Sequence, residues 1–187
     1  MADLPRFYRD EQEWLDIVER LKTNHCPHCN TVGTLNRHGV LSGFDDSNPQ
    51  RTTIRARRIF CSNRDLRPGC GRTFSVWLAD KIRRLSITTH TLLTFLQLAV
   101  VGTIVAAIKA TKCQRSNRTW QRIWKRFDRG QSAMRTALLG RGPPPELPAA
   151  HARRPAAAQV LAHLQTSFPN TDCPIAAFQQ ATRSFFV

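Results

Sequence analysis

The chain reads as mainly α with a small β module, an α+β fold in which a cysteine-bearing ribbon precedes a helical bundle. Three observations predict it. Four cysteines, Cys26, Cys29, Cys61 and Cys70, alternate with short strand-type runs. Apolar residues then recur at helical spacing between Thr88 and Phe127. The 187 residues, 41% of them hydrophobic, suffice for one domain or two small ones. The expected division is an N-terminal helix in 1–24, the ribbon in 25–84, a helical region in 85–130, and a Pro/Ala-rich linker with short C-terminal helices in 131–187.

The first element is a helix. Asp10 and Glu13 form a capping-box pattern, and Trp14, Ile17, Val18 and Leu21 follow on one face. The ribbon comes next. Cys26-Pro27-His28-Cys29 is a C-x2-C knuckle, and Cys70-Gly71 ends a second, wider pair begun by Cys61. Strands are expected at Thr31–Arg37, stopping at His38-Gly39, at Thr52–Phe60 and at Arg72–Trp77, with a loop over Ser42–Gln50. Strand, knuckle, strand is a zinc-ribbon layout. Four thiolates suit a tetrahedral Zn2+ with bonds of about 2.3 Å, a closed structural site without an open position for water. The Ser62–Gly69 insert needs a wide turn, supplied by Pro68-Gly69, to return Cys70 to Cys61. His25, His28 or His38 is an alternative to one sulfur. Cys113 and Cys173 have no partner at ligand spacing and are expected to be buried thiols.

Leu85–Ile108 carries no formal charge, but eight of its residues are polar and Gly102 interrupts it. A buried helix Thr88–Val101 and a short second helix are expected there, not a membrane span. After the turn Thr111–Arg115, Ser116 can cap a third helix ending near Asp128-Arg129-Gly130. Trp120, Ile123, Trp124 and Phe127 make its apolar stripe, and Asn117, Arg118, Gln121, Arg122, Lys125 and Arg126 its other face. Short helix, turn and basic, amide-bearing helix is what a helix-turn-helix requires. Gly140–Ala158 reads as linker. A short helix around Val160–Phe168 and another capped by Asp172 follow, too small for a core of their own.

Charge narrows the function. Formal net charge is +15, and residues 25–84 and 85–130 each contribute +7. Arginine dominates there, and its fork suits phosphate oxygens and guanine edges. Arg118, Gln121 and Arg122 are the expected base contacts. Lys125 and Arg126, with Arg55 and Arg57 on one face of the middle strand, are the expected phosphate contacts. Beyond residue 130 the only acids are Glu146 and Asp172, too few for a two-metal site, and no phosphate-cradling glycine loop or nucleophile set is present. No catalytic residue is assigned. The lack of a signal-peptide pattern points to a reducing cytoplasm, at the nucleoid.

CPHC at 26–29, HG at 38–39, RARRIFC at 55–61, CGRTF at 70–74 and RSNRTWQRIWKRF at 115–127 together resemble the N-terminal DNA-binding part of bacterial insertion-sequence transposases, over roughly residues 25–130. The resemblance implies that Cys26, Cys29, Cys61 and Cys70 hold zinc and that residues 116–126 read double-stranded DNA at element ends or a promoter. It also implies transposition, DNA recombination, and a second copy or a separate catalytic transposase subunit as protein partner. The eight-residue insert before Cys70, the long gap after Cys29 and the C-terminal tail depart from the family pattern. An RNA-binding zinc ribbon, or a non-binding fragment of a mobile element, is the alternative.

Overall fold

The computed structural model describes residues 4–45, 48, 50–85, 87–111, 113, 115–147 and 153–187. Parts of the expected loop (46, 47 and 49), of the expected turn (112 and 114) and of the expected linker (148–152) lie outside them, as does Ser86. Six helices and a four-stranded sheet form among the described residues, so the class is α+β. The chain groups into two compact units, residues 1–44 with 51–79 and residues 80–187 with 45–50. The N-terminal helix thus shares a unit with Cys26, Cys29, Cys61 and Cys70, and the C-terminal helices share one with the central helices.

The first unit holds β1 (Phe7–Tyr8), α1 (Glu11–Glu19), β2 (Leu35–Phe44), β3 (Thr52–Cys61) and β4 (Thr73–Leu78). Asp10 caps α1 by accepting from the Glu13 N–H at 2.9 Å, while the Glu13 carboxylate accepts from the Arg9 N–H at 2.6 Å. The reciprocal bond therefore falls one residue before the N-cap. The sheet order is β1-β4-β3-β2, with β1 parallel to β4 and the other pairs antiparallel. Its core is Tyr8, Trp14, Ile17, Leu21, Leu35, Ile59 and Val76, joined by Cys26 and Cys61.

Two findings correct the strand readings. First, β2 does not stop at His38-Gly39 but runs on to Phe44. His38 is a bulged residue there, between the pairs Arg37↔Ile59 and Gly39↔Arg58, and Gly39 takes φ 115°, which a side chain would resist. Second, β1 has no local signal. Two residues acquire strand geometry only by pairing Phe7 with Trp77 and Tyr8 with Leu78.

The second unit holds α2 (Thr89–Val101), α3 (Ile104–Ala110), α4 (Asn117–Leu139), α5 (Pro155–Ser167) and α6 (Pro174–Thr182). Thr88, Thr103 and Ser116 cap α2, α3 and α4, each accepting from a backbone N–H three residues on. Gly102 ends α2, as its lack of a side chain suggests. No helix among the described residues is long and apolar enough to cross a membrane.

The expected end of α4 near Gly130 is corrected. The helix continues to Leu139 because the stripe of Trp120, Ile123 and Phe127 is extended by buried Gln131, Met134 and Leu138. A glycine inside a helix costs only about 1 kcal/mol, which that burial outweighs. The expected linker is also shorter, since α5 begins at Pro155. Cys173, not Asp172, is the N-cap of α6, with Pro174 in its first turn. Val160, Leu161, Leu164, Ile175, Phe178 and Phe186 enter the same core as Phe95 and Trp120. Cys173 is buried as expected, whereas Cys113 is only half-buried.

Candidate metal centre

Each cysteine reaches the site by a separate local device. Cys26 and Cys29 sit on a turn closed by two backbone bonds, Asn30 N–H to the Cys26 carbonyl at 2.9 Å and Cys26 N–H to the Thr31 carbonyl at 3.0 Å. Asn30 takes φ 61° there, a left-handed conformation that asparagine tolerates better than most residues. Cys61 ends β3. Cys70 is brought back by the Ser62–Gly69 segment, in which a Cβ on Gly69 would lie 2.0 Å from the Ser62 carbonyl oxygen. Only glycine fits so close to the backbone. The Gly71 N–H then donates to the Cys61 carbonyl at 3.0 Å, with φ 71° at Gly71.

The result is one cluster. All four Sγ atoms lie within 4.8 Å of one another. Cys26 and Cys70 are 3.8 Å apart, and Cys29 and Cys61 are 3.7 Å apart. A tetrahedron with metal–sulfur bonds of about 2.3 Å has edges of about 3.8 Å. The four cysteines therefore fit a metal ion such as zinc. The histidine alternatives are turned elsewhere: His25 Nδ1 is 2.9 Å from the Asn30 carbonyl, His28 meets Phe74 edge-on, and His38 lies against Phe60.

The surroundings act on Cys26 and Cys29 in opposite directions. N–H groups of His28 and Cys70 donate to the sulfurs of Cys26 and Cys61 at 3.4 and 3.3 Å. The hydroxyl of Thr34, a buried residue, lies 3.1 Å from the Cys61 sulfur. Burial pushes the Cys26 thiol up to about 12, against the pull of the His28 and Cys29 N–H groups. The side chain and backbone of Thr31 hold the Cys29 thiol down at about 6. A charged metal reverses the burial penalty at Cys26, because it replaces the proton with a stronger positive partner. Thr31 and Thr34 were not legible as site residues, since threonine beside a knuckle carries no spacing signal.

Thr34→Val, nearly isosteric, removes the hydroxyl beside Cys61. Metal affinity is expected to fall roughly tenfold or more, as for other outer partners of metal ligands, with little change in fold. Competition against a chromophoric chelator measures it.

The other predicted residues divide. Asn117, Arg118, Gln121, Arg122, Lys125 and Arg126 are all exposed on α4, and none is in an ion pair with another described residue. Trp120 is fully buried against Phe95, ring centroids 4.5 Å apart, and Trp124 is half-buried under the Arg154 guanidinium. Arg154 also donates to the carbonyls of Ala99 and Gly102 at the end of α2.

Arg55 and Arg57, expected at phosphates, are placed differently. Arg55 is buried and its stem crosses Gly43, where a Cβ would lie 2.4 Å from its Cδ. Arg57 sits over the Trp14 ring at 5.3 Å and pairs with Glu11. Their shared outward face is lost because Arg55 is a bulged residue: the register passes from Leu41↔Ala56 to Ser42↔Ile54.

No family model matches this chain, and no curated protein or solved structure is similar to it.

Proposed function

We propose that the chain is a zinc-dependent, non-catalytic protein that binds double-stranded DNA in a sequence-specific way, of the transposase type that its motifs resemble, at element ends or a promoter. The supporting observation is the outer face of α4. Its first three turns expose Asn117, Arg118, Gln121, Arg122, Lys125 and Arg126, while Trp120, Ile123 and Phe127 are buried on the inner face. Four cations without an ion-pair partner among the described residues, on one face of a helix, are arranged for a polyanion. In this reading α3 and α4 are the two helices of the helix-turn-helix. Arg118, Gln121 and Arg122, nearest the N-terminus of α4, reach base edges, and Lys125 and Arg126 reach phosphates. Cys26, Cys29, Cys61 and Cys70 hold Zn2+ as a structural ion, making the first unit a zinc ribbon. Arg55 and Arg57 are not part of this interface, given their inward placement.

The test is binding of the metal-loaded protein to duplex DNA from its own locus, to scrambled duplex and to RNA, over a salt series. Preference for the locus duplex with a steep salt dependence is expected. Equal weak binding to all three overturns it, and preference for structured RNA favours the RNA-binding alternative. Arg122→Ala is expected to cost about 1–3 kcal/mol on the preferred site and less on other sequences. Equal loss on every sequence removes Arg122 from base reading.

A further inference from the structure

One feature of the second unit extends beyond the predicted DNA-contacting face and shares Arg126 with it. Arg83, Arg84 and Arg126 line a cleft of about 320 Å³ together with Phe185 and Val187. All three arginines are exposed, and no acidic side chain lines the cleft. Arg83 lies over the Phe185 ring at 5.6 Å; apart from that contact, none of the three guanidiniums has a hydrogen-bonding or ion-pair partner among the described residues. Three like charges gathered this way add nothing to stability, since each repels the others and none is neutralised.

The fold nevertheless holds them together. The segment Lys81–Thr88 is pinched by a bridge between its ends, and Arg84 turns at φ 61°. Gln179, fully buried on α6, brackets both sides of the cleft. Its Nε2 donates to the Lys81 carbonyl at 3.2 Å, and its Oε1 accepts from the Phe186 N–H at 3.1 Å. Arg126 comes from α4, one turn beyond Arg122, about 6 Å further along the axis. Three elements distant in sequence thus converge on a positive cleft beside the outer face of α4.

Resting on the DNA-binding reading above, we infer that Arg83, Arg84 and Arg126 form a phosphate clamp for the DNA backbone flanking the sequence read by α4. Guanidinium forks match phosphate oxygens in geometry and charge, and no acidic side chain lines the cleft to compete for them. The clamp adds affinity and fixes register without reading sequence.

The experiment compares wild type, R83Q/R84Q and R135Q on 40-base-pair locus and scrambled duplexes across a salt series, Arg126 being left in place because the parent reading already sets it at a phosphate. Arg135 is exposed on the same helix, half a turn round from Arg126. The double variant is expected to lower the slope of log affinity against log salt by about 1.8, from 0.9 per phosphate lost. Its losses on the two duplexes are expected to be equal, its thermal unfolding unchanged, and the slope of R135Q that of wild type. A wild-type slope in the double variant overturns the clamp while the DNA-binding reading stands. So does a fall of 0.9 in R135Q, which means general electrostatics. A wild-type protein that binds neither duplex overturns the parent reading, and the clamp with it.

Discussion

Chelating the metal from the loaded protein is expected to unfold the first unit and leave the helical unit folded. The core of the first unit is small, and two of its buried members, Cys26 and Cys61, are themselves candidate ligands. A module this size rarely has enough apolar burial to hold itself together without a staple. Structural zinc sites in small domains contribute about 10–16 kcal/mol, comparable to the whole 5–15 kcal/mol stability of an ordinary domain. Without the metal, Cys26 and Cys61 are left as buried thiols, and the knuckle loses its four-sulfur tie to the end of β3. Cys26→Ser should have the same outcome as chelation. Circular dichroism in the strand region and the emission of Trp14 report the loss, and elemental analysis reports one metal per chain before it. An unchanged melting curve and metal content in Cys26→Ser would refute the assignment. The burial that raises the Cys26 thiol to about 12 adds a pH dependence. The metal must displace a proton there at neutral pH, so apparent affinity rises with pH and falls on acidification.

Trp120→Ala should be the most damaging single change in the helical unit. Its side chain is fully buried and packs on Phe95. Truncating a buried tryptophan costs about 3–5 kcal/mol through lost burial and the cavity left behind. That removes a large share of a typical domain's stability. The melting temperature should drop by many degrees, and DNA binding should fall with it at temperatures where the unit has melted. The reason is geometric, because Trp120 anchors the turns of α4 whose outer face carries Arg118 and Arg122. Lys125→Ala, on the exposed face, should change stability by no more than about 0.5 kcal/mol. Equal melting of the two variants would mean that α4 is not seated by its aromatic face.

These two sites were readable because their signals are local. A C-x2-C knuckle, a Cys-Gly pair and an i, i+3, i+4, i+7 stripe specify spacing within a few turns of chain. Ser116 was legible as a cap for the same reason, since it satisfies backbone groups that its own helix exposes, while Thr88 and Thr103, read only as the starts of their helices, cap in the same way. What was not legible depended on partners far away in sequence. The reach of α4 past Gly130 is decided by the core that covers Gln131, Met134 and Leu138. The turning-in of Arg55 and Arg57 is decided by a register shift against β2 and by Trp14 and Glu11.

By itself, then, the sequence determined the four-cysteine set, the α+β class, the cap and apolar stripe of α4, and the excess of positive charge. Only the tertiary structure decided which cations face outward. It also made strands of Phe7 and Tyr8, gave the C-terminal helices a core, and brought Arg83, Arg84 and Arg126 to one cleft. The physical reason is that capping, knuckle geometry and helical periodicity are settled among near neighbours. Burial and charge placement are settled by whichever distant segment supplies the covering surface.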